Sequence, residues 1–165
     1  MSKLSLLNWN VEGLIQKLEL TDFINFVTTF DIICFTETFV TFPFSSSVFR
    51  DYTIFTATAK KLSHFGRASG GVISLVHKRF ADSVQLLTTD FDNTIAFKVE
   101  KHVFSTDKDI VFIHTYIPPC ESSYYNTSEH GYGLEQLDEC VSRLLETMDE
   151  VYLLICGDFN SRTKC

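Results

Sequence analysis

The stretch VYLLICGDFNSR (Val151–Arg162) decides how this chain is read. Leu153, Leu154, Ile155 and Cys156, following Val151 and Tyr152, form a short apolar run that stops at Gly157, Asp158, Phe159 and Asn160. A run of this length is too short for a stable helix and reads as a buried strand. Gly157 is read as a sharp turn at its end, so the strand delivers a carboxylate and an amide, Asp158 and Asn160, to one place.

Seven further stretches have the same character: Leu4–Asn10, Asp31–Thr36, Tyr52–Thr58, Gly71–Lys78, Ser83–Thr88, Thr94–Glu100 and Asp109–Ile117. Each is short, rich in β-branched or aromatic residues, and bounded by polar or glycine positions. Two helices are expected among them. Thr21 is placed to cap the first, whose Phe23, Phe26, Val27 and Phe30 follow the i, i+3, i+4, i+7 spacing. In the second, Leu134, Leu137, Val141, Leu144, Leu145 and Met148 form one apolar stripe. Strands interspersed with a few helices, without regular βαβ alternation, predict a layered α/β or α+β sandwich.

A chain of 165 residues is the size of one domain with a substantial core, and its 45% hydrophobic content excludes the disordered class. No run of about 18 uncharged apolar residues occurs, so no membrane span is expected. The opening MSKLSLLNWN lacks the pattern of a signal peptide. Five cysteines with no C-x-x-C pair read as reduced thiols, in a cytosolic or nuclear setting. The net charge of −7 excludes a nucleic-acid coat protein, yet the charge is uneven. Between Tyr52 and Ala81 there is no Asp or Glu beside Lys60, Lys61, Arg67, Lys78 and Arg79, whereas Glu121–Glu150 is strongly acidic. One face is therefore expected to meet a polyanion.

Four of the apolar strands end alike. Asn10 closes the first with Glu12 close behind, Glu37 follows the second, Tyr116 ends the seventh, and Asp158 and Asn160 end the eighth. Taken singly, each has a duller explanation as a turn former, a solvated strand end or a packing aromatic. Together they describe a polar pocket at one edge of a rigid sandwich. Its oxygens suit Mg²⁺, with Mn²⁺ as the alternative, and the five histidines show no zinc-site spacing. A metal that polarises a phosphoryl oxygen, with a carboxylate orienting water, makes a phosphodiester hydrolase.

NWNVEG, FTET, TYIPP and CGDFNSR, in this order and each after a strand, resemble the signature blocks of the endonuclease/exonuclease/phosphatase superfamily. GGVISLVHKRF after a basic loop, DIICFTET and TYIPP look most like the apurinic-type endonuclease domains of non-LTR retrotransposons. The resemblance implies a four-layer α/β sandwich of two packed mixed β-sheets flanked by helices. It implies that Glu37 is the metal-binding glutamate, and that Glu12 stands where relatives often carry a metal-proximal Asp. Asn10 would hold the phosphate or a water on the metal, Tyr116 would hydrogen-bond the scissile phosphate, Asp158 would position the attacking water, and Asn160 would bind a phosphate oxygen. Pro119 occupies the place of an Asn in DNA-repair relatives, which weakens an abasic-site repair role and suits the retroelement one.

The Ser-Asp-His triplet with which relatives close the site does not occur before Cys165, so residues 1–165 are expected to be one domain of this family without its C-terminal part, weak or inactive by itself. The expected function is DNA nicking that leaves a 3′-hydroxyl primer, with Lys60, Lys61 and Arg67 contacting phosphates and a fused reverse transcriptase domain as the companion. Action on chromosomal DNA implies nuclear access. Inositol-phosphate or sphingomyelin phosphoesterases share the implied metal site and stand as the alternative substrate class. A non-catalytic fragment stands as the third reading.

Overall fold

The strand signals fold as read. A computed structural model describes residues 4–61, 66–119, 121–122, 124–125, 133–148 and 150–160. Among them lie eight strands: β1 (Leu6–Asn10), β2 (Ile32–Thr36), β3 (Tyr52–Ala57), β4 (Val72–His77), β5 (Val84–Leu87), β6 (Thr94–Val99), β7 (Ile110–Tyr116) and β8 (Tyr152–Asp158). The α-helices are α1 (Leu14–Lys17), α2 (Thr21–Val27), α3 (Lys101–Phe104) and α4 (Gly133–Thr147). Each sheet has four strands, ordered β1-β2-β4-β3 and β5-β6-β7-β8. Both sheets are mixed: β1–β2 and β7–β8 are parallel pairs and the rest antiparallel.

The two-residue period of the strands sorts the core into three sheets of packing. Ile32 and Cys34 of β2, Val72 and Val76 of β4, Ile95 and Phe97 of β6, and Phe112 and Tyr116 of β7 meet between the sheets. Ile33, Phe35, Ile73 and Leu75 point the other way, against Leu14 of α1 and Phe23 and Val27 of α2. Ala96, Val111 and Ile113 pack on Cys140 and Leu144 of α4. The result is helix, sheet, sheet, helix, the four-layer sandwich expected. Because β2 is covered on both faces, IICFT is buried throughout and shows no polar alternation. Phe97 and Phe112, partners across β6–β7, stack with centroids 5.0 Å apart, an arrangement worth about 1 kcal/mol beyond its buried area.

Local readings need correction in three places. Thr21 does not cap α2: it is the first helical residue, Leu20 precedes it in extended conformation, and no side chain caps the helix. Asp22 in the first turn complements the helix dipole instead, and Tyr52 Oη donates to the carbonyls of Thr28 and Phe30 just beyond the helix. Phe26, counted in the stripe, is exposed, and so are Leu134 and Leu145 of α4, whose buried face includes Gln136, Cys140 and Leu144. Gly157 is not a turn: β8 continues through it, pairing Gly157 with Thr115 and Asp158 with Tyr116. The short helices α1 and α3 carry no signal of their own length in the sequence. The loop reading for Pro118–Gly133 lies largely outside the described residues.

Polar side chains also enter the layer between the sheets. His114 is fully buried with its Nδ1 2.8 Å from Ser74 Oγ, and Cys34 and Cys156 lie alongside with sulfurs 3.8 Å apart. Burial holds the imidazole neutral by pushing its pKa from 6.5 down to about 3. The folded chain therefore refuses a proton that the unfolded chain accepts below pH 6.5, so this contribution to stability is complete above 6.5 and is lost as pH falls toward 3. His114→Gln should flatten this dependence. Urea unfolding at pH 7 and pH 5 should show an acid loss smaller in the variant by about 2 kcal/mol; equal losses in both proteins would contradict the assignment.

Candidate functional site

The two parallel pairs position the site. In each pair both strands run the same way, so the carboxyl ends of β1 and β2 leave one sheet at the rim where β7 and β8 leave the other. Asn10 is the last residue of β1, Glu37 follows β2, Tyr116 ends β7 and Asp158 ends β8. Ile117 N then donates to Asp158 O (2.9 Å), and Asn160 Nδ2 to Ile117 O (3.0 Å), which fixes the chain beyond both strands.

Hydrogen bonds join the sheets at this rim. Asn10 Nδ2 donates to Asp158 Oδ2 (2.7 Å), and the Asn160 amide N–H donates to Asp158 Oδ1 (3.1 Å), so both carboxylate oxygens are held. Asn10 Oδ1 accepts from Glu12 N (3.1 Å), and Asn8 Nδ2 reaches Gly157 O (3.0 Å). Tyr116 Oη donates to Glu37 Oε1 at 2.9 Å. Burial first, then the Glu37 carboxylate and Asp158, push the Tyr116 phenol far above its ordinary pKa, against a smaller opposing effect of the Asn160 side chain. The shift holds Tyr116 in its protonated, hydrogen-donating form. An open cleft of about 460 Å³ between the sheets is lined by Asn8, Asn10, Thr36, Gly157, Asp158, Phe159 and Asn160.

The backbone is strained at the same rim. Glu12, Glu37, Phe39 and Asn160 all have left-handed φ, between 41° and 55°. Such non-glycine residues cost of order 1 kcal/mol or more each and persist only where surrounding bonds impose them. Here Gly13 N donates to Glu37 O (2.8 Å), Thr38 N to Gly71 O (3.1 Å) and Phe39 N to Gly70 O (3.2 Å). Behind them stands Asn93, which the sequence reading missed. Its Oδ1 accepts from Gly71 N (2.7 Å) and its carbonyl from Tyr116 N (2.9 Å), tying the loops of one sheet to the end of β7 in the other. Nothing in DFDNT marks this residue, because its partners are distant backbone groups.

Asn10, Glu37, Tyr116, Asp158 and Asn160 are thus brought together. Glu12 lies beside them, exposed, at the mouth of a second groove that includes Arg67. Lys60, Lys61 and Arg67 do not join the cluster. Lys60 is ion-paired with Asp92 and Arg79 with Asp31, so acids from outside the basic segment neutralise part of the expected cationic face. Lys61 and Arg67 are exposed, and neither makes an ion pair among the described residues.

The donor set fits a hard divalent cation. Among the described residues no three His, Cys, Asp or Glu side chains gather, so the protein offers no closed cage. Mg²⁺ needs none: one or two carboxylates, waters and a substrate phosphate suffice. Tyr116 engages only one oxygen of Glu37, which leaves the other available to a cation, whereas Asp158 is already committed to Asn10 and Asn160.

No protein-family model and no curated protein matches this sequence. Solved structures do match. An AP endonuclease from Leishmania major superposes with a TM-score of 0.67 at 13% identity, covering 94% of this chain and 54% of that one. A 3′ phosphatase from Neisseria bound to a product DNA hairpin gives 0.61 at 16%, covering 96% and 58%. An AP endonuclease from Archaeoglobus fulgidus gives 0.56 at 19%, covering 97% and 58%. This chain shares the four-layer fold of these structures, the endonuclease/exonuclease/phosphatase fold, and spans between half and three-fifths of their length.

Gly157 is the residue on which β8 depends. Its φ is 145°, and an added Cβ would stand 1.8 Å from the Thr115 carbonyl oxygen, a backbone atom that cannot step aside. Gly157→Ala should destabilise the chain by about 3 kcal/mol or more, read as a drop in urea midpoint; a loss under about 0.5 kcal/mol would mean that β8 does not run through this position.

Proposed function

We propose that this chain carries the site of a Mg²⁺-dependent phosphodiester hydrolase that nicks DNA. The observation that supports this most is the hydrogen-bonded set Asn10–Asp158 and Tyr116–Glu37, assembled from both sheets at one open rim. A protein selected only for stability gains little by holding two carboxylates, a phenol and two amides in hydrogen-bonded pairs at one rim.

Glu37, with Glu12 nearby, would hold the cation, and a cation bound there withdraws charge from the phosphoryl oxygens. Tyr116 turns its hydroxyl from Glu37 to a non-bridging oxygen of the scissile phosphate and stabilises the charge that grows on it. The amides of Asn10 and Asn160 hold phosphate oxygens. Asp158, fixed through both oxygens, accepts a hydrogen bond from the attacking water and aligns it opposite the leaving 3′ oxygen. The carboxylate needs no mobility of its own, because its partners already set its orientation.

An open cleft rather than a closed pocket favours a polymeric strand over a small phosphate ester, and the neighbouring groove, which shares the Glu12 side of the rim, carries the exposed cation Arg67. The finer reading is the endonuclease of a retroelement, one that leaves a 3′-hydroxyl for a fused reverse transcriptase. Its support is the resemblance of GGVISLVHKRF and TYIPP, with Pro119 in place of an amide side chain.

With Mg²⁺, the chain should convert supercoiled plasmid to open circles carrying 3′-hydroxyl and 5′-phosphate ends, and chelation should abolish this. Asp158→Asn and Tyr116→Phe should each lower the rate by at least about a hundredfold without changing the unfolding midpoint by more than a small fraction. Intact plasmid together with release of phosphate from inositol phosphates would transfer the reading to the small-substrate class. Nicking that survives both substitutions would remove the proposed site.

A further inference from the structure

Beside the cluster, outside the cleft just assigned, a groove of about 530 Å³ runs from Glu12 and Thr38 to Lys17 and Arg67. Its volume is that of a small-ligand pocket and accommodates one nucleotide. Its wall is Phe39, held in left-handed conformation by the bond from its N–H to Gly70 O. The Arg67 guanidinium lies over this ring with Cζ 4.4 Å from the centroid. Gly13 backs Phe39 closely: a Cβ on Gly13 would come within 3.4 Å of the ring. The ring is therefore closely backed by Gly13 and covered by the cation.

This arrangement differs from that of an ordinary surface arginine. An exposed guanidinium in no ion pair among the described residues usually pays side-chain entropy to bind anything, but an aromatic platform holds this one in place in advance. A guanidinium held over an aromatic ring can offer its planar face to a second flat group and its edges to phosphate oxygens. Lys17, which also lines the groove, is likewise in no ion pair among the described residues and supplies a point charge. A flat face and a separate cation, in a groove that Glu12 joins to the rim of the proposed phosphodiester site, are what a base and its own phosphate require.

We propose that this groove binds the nucleotide flanking the scissile phosphate as an unpaired base, stacked on Arg67 and thereby on Phe39, with its phosphate on Lys17. The inference rests on the phosphodiesterase reading above and adds to it a preference: strands whose base beside the cut is free of its complement. Stacking of this kind is sequence-tolerant, because every base has a π-face.

The test is binding of a fluorescently labelled single strand to the 165-residue chain without divalent metal, with an abasic residue walked along the strand. The wild-type chain should lose affinity about 5- to 100-fold when the abasic residue occupies one particular position, and little elsewhere. Arg67→Lys keeps the charge but removes the plane, and should erase that position dependence while leaving the salt dependence in place. Lys17→Ala should keep the position dependence and lower the slope of log affinity against log salt by about 0.7. Uniform losses along the strand, or Arg67→Lys indistinguishable from wild type, overturn the inference. If the wild-type chain nicks plasmid but shows no such step, the groove inference fails alone; if it neither binds nor nicks, the phosphodiesterase reading fails with it.

Discussion

The hydrogen bond from Asn10 to Asp158 spans two sheets, and the site exists only because that span is 2.7 Å. Each partner ends an outermost strand of its own sheet, β1 in one and β8 in the other. Nothing within either sheet sets their separation. It is set by the apolar layer between them, from Ile32 and Cys34 on one side to Phe97, Phe112 and Tyr116 on the other. A site assembled across such a layer is as rigid as the packing beneath it, and packing at interior density gives little. Tyr116 belongs to both systems, its ring in the inter-sheet core and its hydroxyl on Glu37.

The strain collected at the rim follows from the same construction. Strands finishing in extended conformation would carry their side chains past one another. Left-handed residues at Glu12, Glu37, Phe39 and Asn160 turn the chain back over the strand ends, so that side chains from four strands face inward. Their cost is met by backbone hydrogen bonds between loops, from Gly13 to Glu37 and from Thr38 and Phe39 to the paired glycines. One of those glycines, Gly71, is in turn held by Asn93, so the positioning of Glu37 reaches back to the turn that leads into β6 of the other sheet.

How much of this was legible in the sequence depended on whether the cause was local. The strands were, since a two-residue period and β-branched composition act within a few residues, and so were Asn10, Glu37, Tyr116, Asp158 and Asn160, which stand at strand ends. Asn93 was not, because its role is to accept two backbone N–H groups more than twenty residues away in each direction. Gly157 was misread for a related reason. A glycine after an apolar run signals a turn, but here it is needed because the neighbouring strand's carbonyl occupies the space of a side chain. The partners of Lys60 and Arg79 were equally hidden, as Asp92 and Asp31 come from outside the segment whose charge was counted.

The positions of β1 and β8 also decide how the site is maintained. As outer strands they have neighbours on one side only among the described residues, and Leu6, Trp9, Tyr152, Leu153 and Ile155 are each more than a third exposed. Edge strands are the elements that open most readily, since fewer ladder bonds and less buried area hold them. Opening of either would separate Asn10 from Asp158 while leaving the centre of both sheets intact. The second cross-sheet bond, from Asn8 to the Gly157 carbonyl, therefore matters beyond its own strength. It sits one pleat before the first, on the same face of β1, so that two contacts must break together for the rim to part. A carboxylate held by one amide could drift by the ångström that misaligns a water; one whose strand is also latched behind it cannot do so without undocking the edge.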